Sequence, residues 1–151
     1  MMPSIETCFG TLDYQEEARI EFPWGLPGFE DARWFVLVDQ PESRPLVFLQ
    51  SMEQRELCFM TLPVAEVAPD YRLRILPEDL ERLGLDPSRQ PEPWEVLALA
   101  IVCVEDKQVP SVNLLGPVVI NRYTRKAVQA IRDDMNYSAR QPLLAEGVTC
   151  S

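Results

Sequence analysis

The chain has no histidine among its 151 residues. Without the commonest general base, neither a Ser-His-Asp nor a Cys-His catalytic set can be built. Lysine is nearly as scarce: only Lys107 and Lys126 occur, and neither stands in a serine motif. No phosphate-cradling glycine pattern is present, because Gly25-Leu26-Pro27-Gly28 has the wrong spacing and too much proline. Cys8, Cys58, Cys103 and Cys150 form no CxxC pair and have no histidine with which to complete a zinc site. They read as reduced thiols, with Cys58 and Cys103 in apolar runs as small core hydrophobes. No apolar run reaches the length of a membrane span, and Met1-Met2-Pro3-Ser4-Ile5-Glu6 lacks the basic and apolar regions of a signal peptide. These absences point to a cytoplasmic protein that is not an enzyme and carries no cofactor or metal. The catalytic alternative is confined to carboxylates such as Glu16-Glu17 and Asp133-Asp134, or to Cys8.

What is present is acid. Twenty-four acidic residues against 14 basic ones leave a net charge of −10, which argues against nucleic acid or an anionic membrane as the direct ligand and makes a basic partner plausible. Residues 6–31 hold seven acids and one base, and residues 76–106 hold eight acids and two bases. Arg122, Arg125, Lys126 and Arg132, by contrast, occur with no acid between them. Fourteen prolines against six glycines disfavour long helices and fit short strands joined by proline-marked turns.

The patterning predicts one mainly β domain over residues 1–143 and a tail over 144–151. Ile5 to Asp13 and Ala18 to Phe22 read as a hairpin around Gln15-Glu16-Glu17. Trp34 to Val38, Leu46 to Met52 and Leu57 to Leu62 follow as an antiparallel meander, since their connections are too short for a crossover helix. Pro77 to Leu83 predicts a two-turn helix: proline suits its first position, Glu78 and Asp79 suit its positive end, and Gly84 stops it. Leu76 is a poor N-cap for it. The uninterrupted apolar run Val96 to Val104 predicts a central strand buried on both faces. Val112 to Leu115, Val118 to Asn121 and Ala127 to Ile131 complete the set, and Asn136 to Leu143 reads as an extended tail. The sum is an all-β barrel or sandwich with one small helix.

One segment stands apart: Phe22-Pro23-Trp24-Gly25-Leu26-Pro27-Gly28-Phe29-Glu30 packs large apolar residues among turn formers. It resembles the signature of the bacterial flagellar assembly factor family FliW. Phe48-Leu49-Gln50-Ser51 with Glu56-Leu57-Cys58-Phe59, Asn113-Leu114-Leu115-Gly116-Pro117-Val118-Val119-Ile120-Asn121, and Tyr137 to Leu143 agree in order and spacing. Gln141 departs from the pattern, at a position where histidine is expected in many relatives. The resemblance covers residues 5–143 and implies a partly open antiparallel β-barrel. It also implies an allosteric antagonist that sequesters CsrA, a small RNA-binding translational repressor, beside its RNA-binding surface and exchanges it for flagellin. The free protein is expected to be a monomer. Retention of flagellin binding alone, as a chaperone without translational control, is the alternative. For flagellin the expected mode is capture of an amphipathic segment in an apolar groove, with Trp24, Leu26 and Phe29 as candidate lining. Glu30, Asn113, Asn121, Tyr137 and Arg140 are the further candidates for partner contact, with turn or edge hydrogen bonding as the competing role of the two asparagines.

Overall fold

The computed structural model describes residues 3–7 and 10–143. Its first hairpin differs from the expected one. β1 (Ser4–Thr7) pairs with β2 (Gly10–Asp13), placing Ser4 opposite Asp13 and Thr7 opposite Gly10. The chain therefore reverses inside the stretch that reads as one strand. Gly10 makes this possible by taking φ of +96°, a conformation open to glycine at little cost, and the Thr7 hydroxyl donates to Gly10 O at 2.8 Å. Glu16–Ala18 form a single 3-10 turn, and β3 (Ile20–Glu21) pairs not with β2 but with β4 (Trp34–Val38). Burial decides that pairing: Ile20, Phe22 and Phe35 are all inaccessible to solvent, and the Phe22 and Phe35 rings meet edge to face at 5.1 Å.

The meander then runs as expected through β5 (Val47–Ser51) and β6 (Cys58–Pro63), antiparallel throughout. Leu37 faces Leu49, and Leu49 faces Phe59, so one cross-strand row feeds the core under the Trp24 loop. A one-turn helix, α1 (Val64–Val67), follows β6 directly; nothing in so short a span announces it. α2 (Pro77–Leu83) has the expected bounds, with proline in the first turn, no side-chain cap from Leu76, and Gly84 closing it at φ +79°. Its Leu80 and Leu83 are fully buried, which is worth about 1.5–3 kcal/mol each.

β7 (Val96–Cys103) is the central strand. One edge pairs with β6; the other pairs with β8 (Ser111–Val112) at one end and β9 (Val118–Asn121) at the other. Both faces carry apolar packing, but the covering is less complete than the unbroken apolar run predicts: Leu97, Ala98, Ile101 and Val102 are only half-buried. Leu97, Leu99 and Ile101 pack with Ile20, Phe35 and Leu49, whereas Ala98, Ala100 and Val102 pack with Leu62, Val112 and Leu143. A third cluster joins α2 to Val96, Val119 and Val128. The run ends earlier than expected: Cys103 and Val104 are exposed, so Cys103 is not the core filler its surroundings in sequence suggest, because the partner strand β8 stops opposite it. Cys8 and Cys150 lie outside the described residues.

β10 (Ala127–Gln129) lies on β9, and β11 (Gln141–Pro142) lies on β8. The segment expected to be an extended tail is thus packed, with Leu143 buried. Among the described residues the sheet has nine strands, and the two ends of its main path, β3 and β10, touch through a parallel bridge between Glu21 and Lys126. There the Glu21 amide donates to Arg125 O at 2.9 Å, and the Arg125 guanidinium donates to Ala18 O at 3.2 Å. The architecture is a partly open antiparallel β-barrel with two short helices on its outside.

Candidate functional site

The loop between β3 and β4 is a chain of tight turns. Gly25 N donates to Phe22 O at 2.8 Å, Phe29 N to Leu26 O at 2.7 Å, and Ala32 N to Phe29 O at 3.0 Å. Gly25 and Gly28 both have positive φ, and at Gly25 only hydrogen fits: a Cβ there would meet Glu30 Cα at 2.5 Å. These turns divide the four candidates of the loop. Leu26 is buried in the barrel core beside Phe22 and Ala32. Phe29 is half covered, its ring edge-on to Phe59 at 5.4 Å. Trp24 projects into solvent with 62% of its surface exposed. Glu30 accepts from Gly28 N at 3.1 Å, and that backbone hydrogen bond holds its carboxyl below the ordinary carboxylate range.

Trp24 and Glu30 form one wall of a groove of about 370 Å³, with α2 and the end of β10 opposite. Glu78, Asp79 and Arg82 of α2 face them. The Arg82 guanidinium lies 5.0 Å from the centre of the Trp24 ring and 3.2 Å from the Asp79 carboxylate. Burial raises the Asp79 carboxyl above its ordinary value, and neighbouring Arg82 opposes that rise.

The remaining candidates lie elsewhere, so the eight do not form a single surface. Asn113 makes a turn: its side-chain oxygen accepts from Leu115 N at 3.0 Å and Gly116 N at 2.9 Å. Asn121 is buried and fully engaged. Its amide donates to Leu83 O at 2.7 Å, and its oxygen accepts from Tyr123 N at 2.9 Å and Thr124 N at 3.3 Å. Both asparagines thus take the turn role. Tyr137 belongs to a clamp around Arg132, whose guanidinium sits 4.7 Å from the Tyr137 ring and 5.3 Å from the Tyr71 ring. Arg132 also grips Asp134 with two hydrogen bonds at 2.8 and 3.0 Å and donates to Arg72 O. Arg140 is exposed and reaches Glu105 at 3.4 Å.

The basic run is only partly open: Arg122 and Lys126 are exposed, but three of its four members are engaged within the fold. Arg132 is buried in the clamp, Arg125 serves the barrel seam, and Arg122 donates to Val96 O at 3.1 Å. The acid pairs are likewise engaged, Glu16 with Arg19 at 3.3 Å and Asp133 with Arg74. Among the described residues, no group of three or more His, Cys, Asp and Glu side chains could hold a metal ion, and no helix is long and apolar enough to cross a membrane.

Two clefts escape a reading of the sequence. One, of about 350 Å³, lies between the loop that precedes β5, β6, α1 and the end of β7, lined by Leu46, Met60, Leu62, Val67, Val102 and Leu143. The other, of about 520 Å³, runs between α1 and β7 with Pro63, Pro69, Pro91 and Pro93 at its walls. Neither includes Trp24, Leu26 or Phe29. The usable signal was the residues of β6 and β7 that point away from the Phe35 core, since an apolar strand face must be covered or left as a cleft.

A small, partly open antiparallel barrel with short outer helices and concave apolar surfaces defines the class. Within it, the sequence model of the FliW protein family matches residues 4–143, and the chain belongs to that family. The flagellar assembly factor FliW of Syntrophomonas wolfei is 32% identical over 143 residues, covering 94% of this chain and 88% of that protein. The FliW of Heliobacterium modesticaldum is 33% identical over 135 residues, covering 89% and 86%. A crystal structure of the flagellar assembly factor FliW superposes with a TM-score of 0.81 at 28% identity, covering 94% of this chain and 97% of the other.

Proposed function

We propose that this protein is a cytoplasmic regulatory binding protein that sequesters the translational repressor CsrA and exchanges it for flagellin, coupling flagellin synthesis to flagellum assembly. The observation that supports this most is the FliW match over residues 4–143. The net charge of −10 agrees with a basic RNA-binding partner, because complementary potentials raise association rate and selectivity. In this reading CsrA is held beside its RNA-binding surface, so antagonism is allosteric, and no catalysis or cofactor is involved. Flagellin, whose chain ends are expected to be amphipathic, suits the apolar cleft at Leu46, Met60 and Val102. That cleft alone would favour the second reading, a flagellin chaperone without translational control.

Titration of the purified monomer with CsrA at two salt concentrations, followed by challenge with flagellin, tests the circuit. The expected result is saturable binding of one copy per CsrA protomer, weaker at high salt, relief of RNA repression, and release of CsrA by flagellin. Absence of CsrA binding at tens of micromolar, with flagellin still bound, would leave the chaperone.

A further inference from the structure

Trp24 keeps 62% of its surface in solvent although it stands in the wall of a groove. An indole left open at a concavity retains both its apolar area and the negative face of its ring for a partner. The chain itself shows what that ring accepts. Arg82 lies 5.0 Å from its centre while bonded to Asp79 at 3.2 Å, a guanidinium held between an indole and a carboxylate. Two more carboxylates open into the same groove with no cation of their own among the described residues. Glu30 is bonded there to backbone amides, Gly28 N at 3.1 Å among them, and Glu78 is exposed. Three carboxylates against one guanidinium leave the groove at −2. Ile131, 46% exposed, adds an apolar rim that suits the methylene stem of a long cationic side chain.

We propose that this groove is the receptor for an arginine side chain presented by a basic segment of a protein partner, with Trp24, Glu30 and Glu78 as its contacts. The guanidinium stacks on the open indole surface and pairs with the two carboxylates; its stem lies along Ile131. A phosphate-bearing ligand is repelled by the same charges. The assignment rests on the reading that the partner is a basic protein, and it adds the place where that partner is gripped.

The test uses the whole protein and, as probe, the capped peptide Gly-Arg-Arg-Arg-Gly, with a glutamine-for-arginine peptide as control. Two-dimensional 1H–15N spectra report the indole N–H signals of the three tryptophans, and that of Trp24 is assigned through Trp24→Phe. The expected result is a saturable shift of the Trp24 signal with the arginine peptide alone. Affinity should fall at least about fivefold in Glu30→Gln/Glu78→Gln, whose amide oxygens preserve the local turn, and about as much in Trp24→Ala. Shifts centred away from Trp24, or affinity unchanged in both variants, overturn the proposal. The same variants are then titrated with CsrA. Full-strength binding by all of them overturns this surface and leaves the CsrA reading standing. If CsrA fails to bind even the unaltered protein, that reading fails and the peptide result alone judges the groove.

Discussion

Replacing Asn121 with alanine should cost stability and leave partner affinity untouched. The side chain is 2% exposed and makes three hydrogen bonds, to Leu83 O at 2.7 Å and from Tyr123 N and Thr124 N at 2.9 and 3.3 Å. Each such bond contributes about 0.5–1.5 kcal/mol net, and a buried group left without a partner costs more. Leu83 O keeps a weaker bond from the Thr124 hydroxyl at 3.4 Å, so one partner is only partly orphaned. The total is about 3 kcal/mol, or roughly 6–12 °C in Tm for a chain of this size. Urea unfolding of Asn121→Ala should show a lower midpoint with an unchanged slope, since the surface exposed on unfolding is the same. Asn113→Ala, which loses two turn bonds at a half-buried position, should cost about 1 kcal/mol. A loss below 1 kcal/mol for Asn121→Ala would refute this accounting. Full stability with lost CsrA affinity would return Asn121 to the contact surface.

Gly25→Ala and Gly28→Ala separate steric overlap from backbone preference. Both positions have positive φ, but a methyl at Gly25 collides with Glu30 backbone and one at Gly28 meets open space, so thermal unfolding should show losses of about 3 kcal/mol or more against about 1 kcal/mol. Arg132→Met should cost about 3 kcal/mol and speed amide hydrogen exchange in β11, because the clamp on Tyr71, Tyr137 and Asp134 ties down the segment that leads into β11. Hydrogen bonds to arginine, serine or backbone donors hold Glu30, Asp86, Glu95, Asp133 and Asp134 below ordinary carboxylate values. Such groups stabilise the fold fully above their unfolded pKa, and that stability is lost as pH falls through the folded one. The urea midpoint should therefore decline below about pH 4.5, less steeply in Asp134→Asn. Asp79, raised by burial, has the opposite sign and gains on protonation, so Asp79→Asn should steepen the decline.

Legibility in the sequence follows locality. α2 and β9 match their expected bounds because their signals are contiguous: Pro77, the first-turn acids and Gly84 for one, a short β-branched run for the other. The meander was readable for the same reason. The first hairpin was not, because alternation in Ile5 to Asp13 cannot show that Gly10 turns the chain, nor that Ile20 prefers Phe35 as its neighbour. Asn136 to Leu143 looked loose because its partners Tyr71 and Val112 are distant in sequence. The site divides likewise. The Trp24 loop announces itself by composition, yet which of Trp24, Leu26 and Phe29 turns inward depends on the path through Gly25 and Gly28. That Asn121 serves Leu83 and that Trp24 meets Arg82 are facts of tertiary placement alone.

The seam of the barrel has a consequence for life in a crowded solution. A sheet that does not close leaves two edges, and an open edge invites pairing with another chain. At the seam the edges are β3, two residues long, and β10, three residues long, and their contact at Glu21 and Lys126 sets a charged residue of each sign there. A stray strand finds too few amides in a row to hold on. The seam, as distinct from the four-residue edges of the β1–β2 hairpin, is thereby kept from templating another chain's strand.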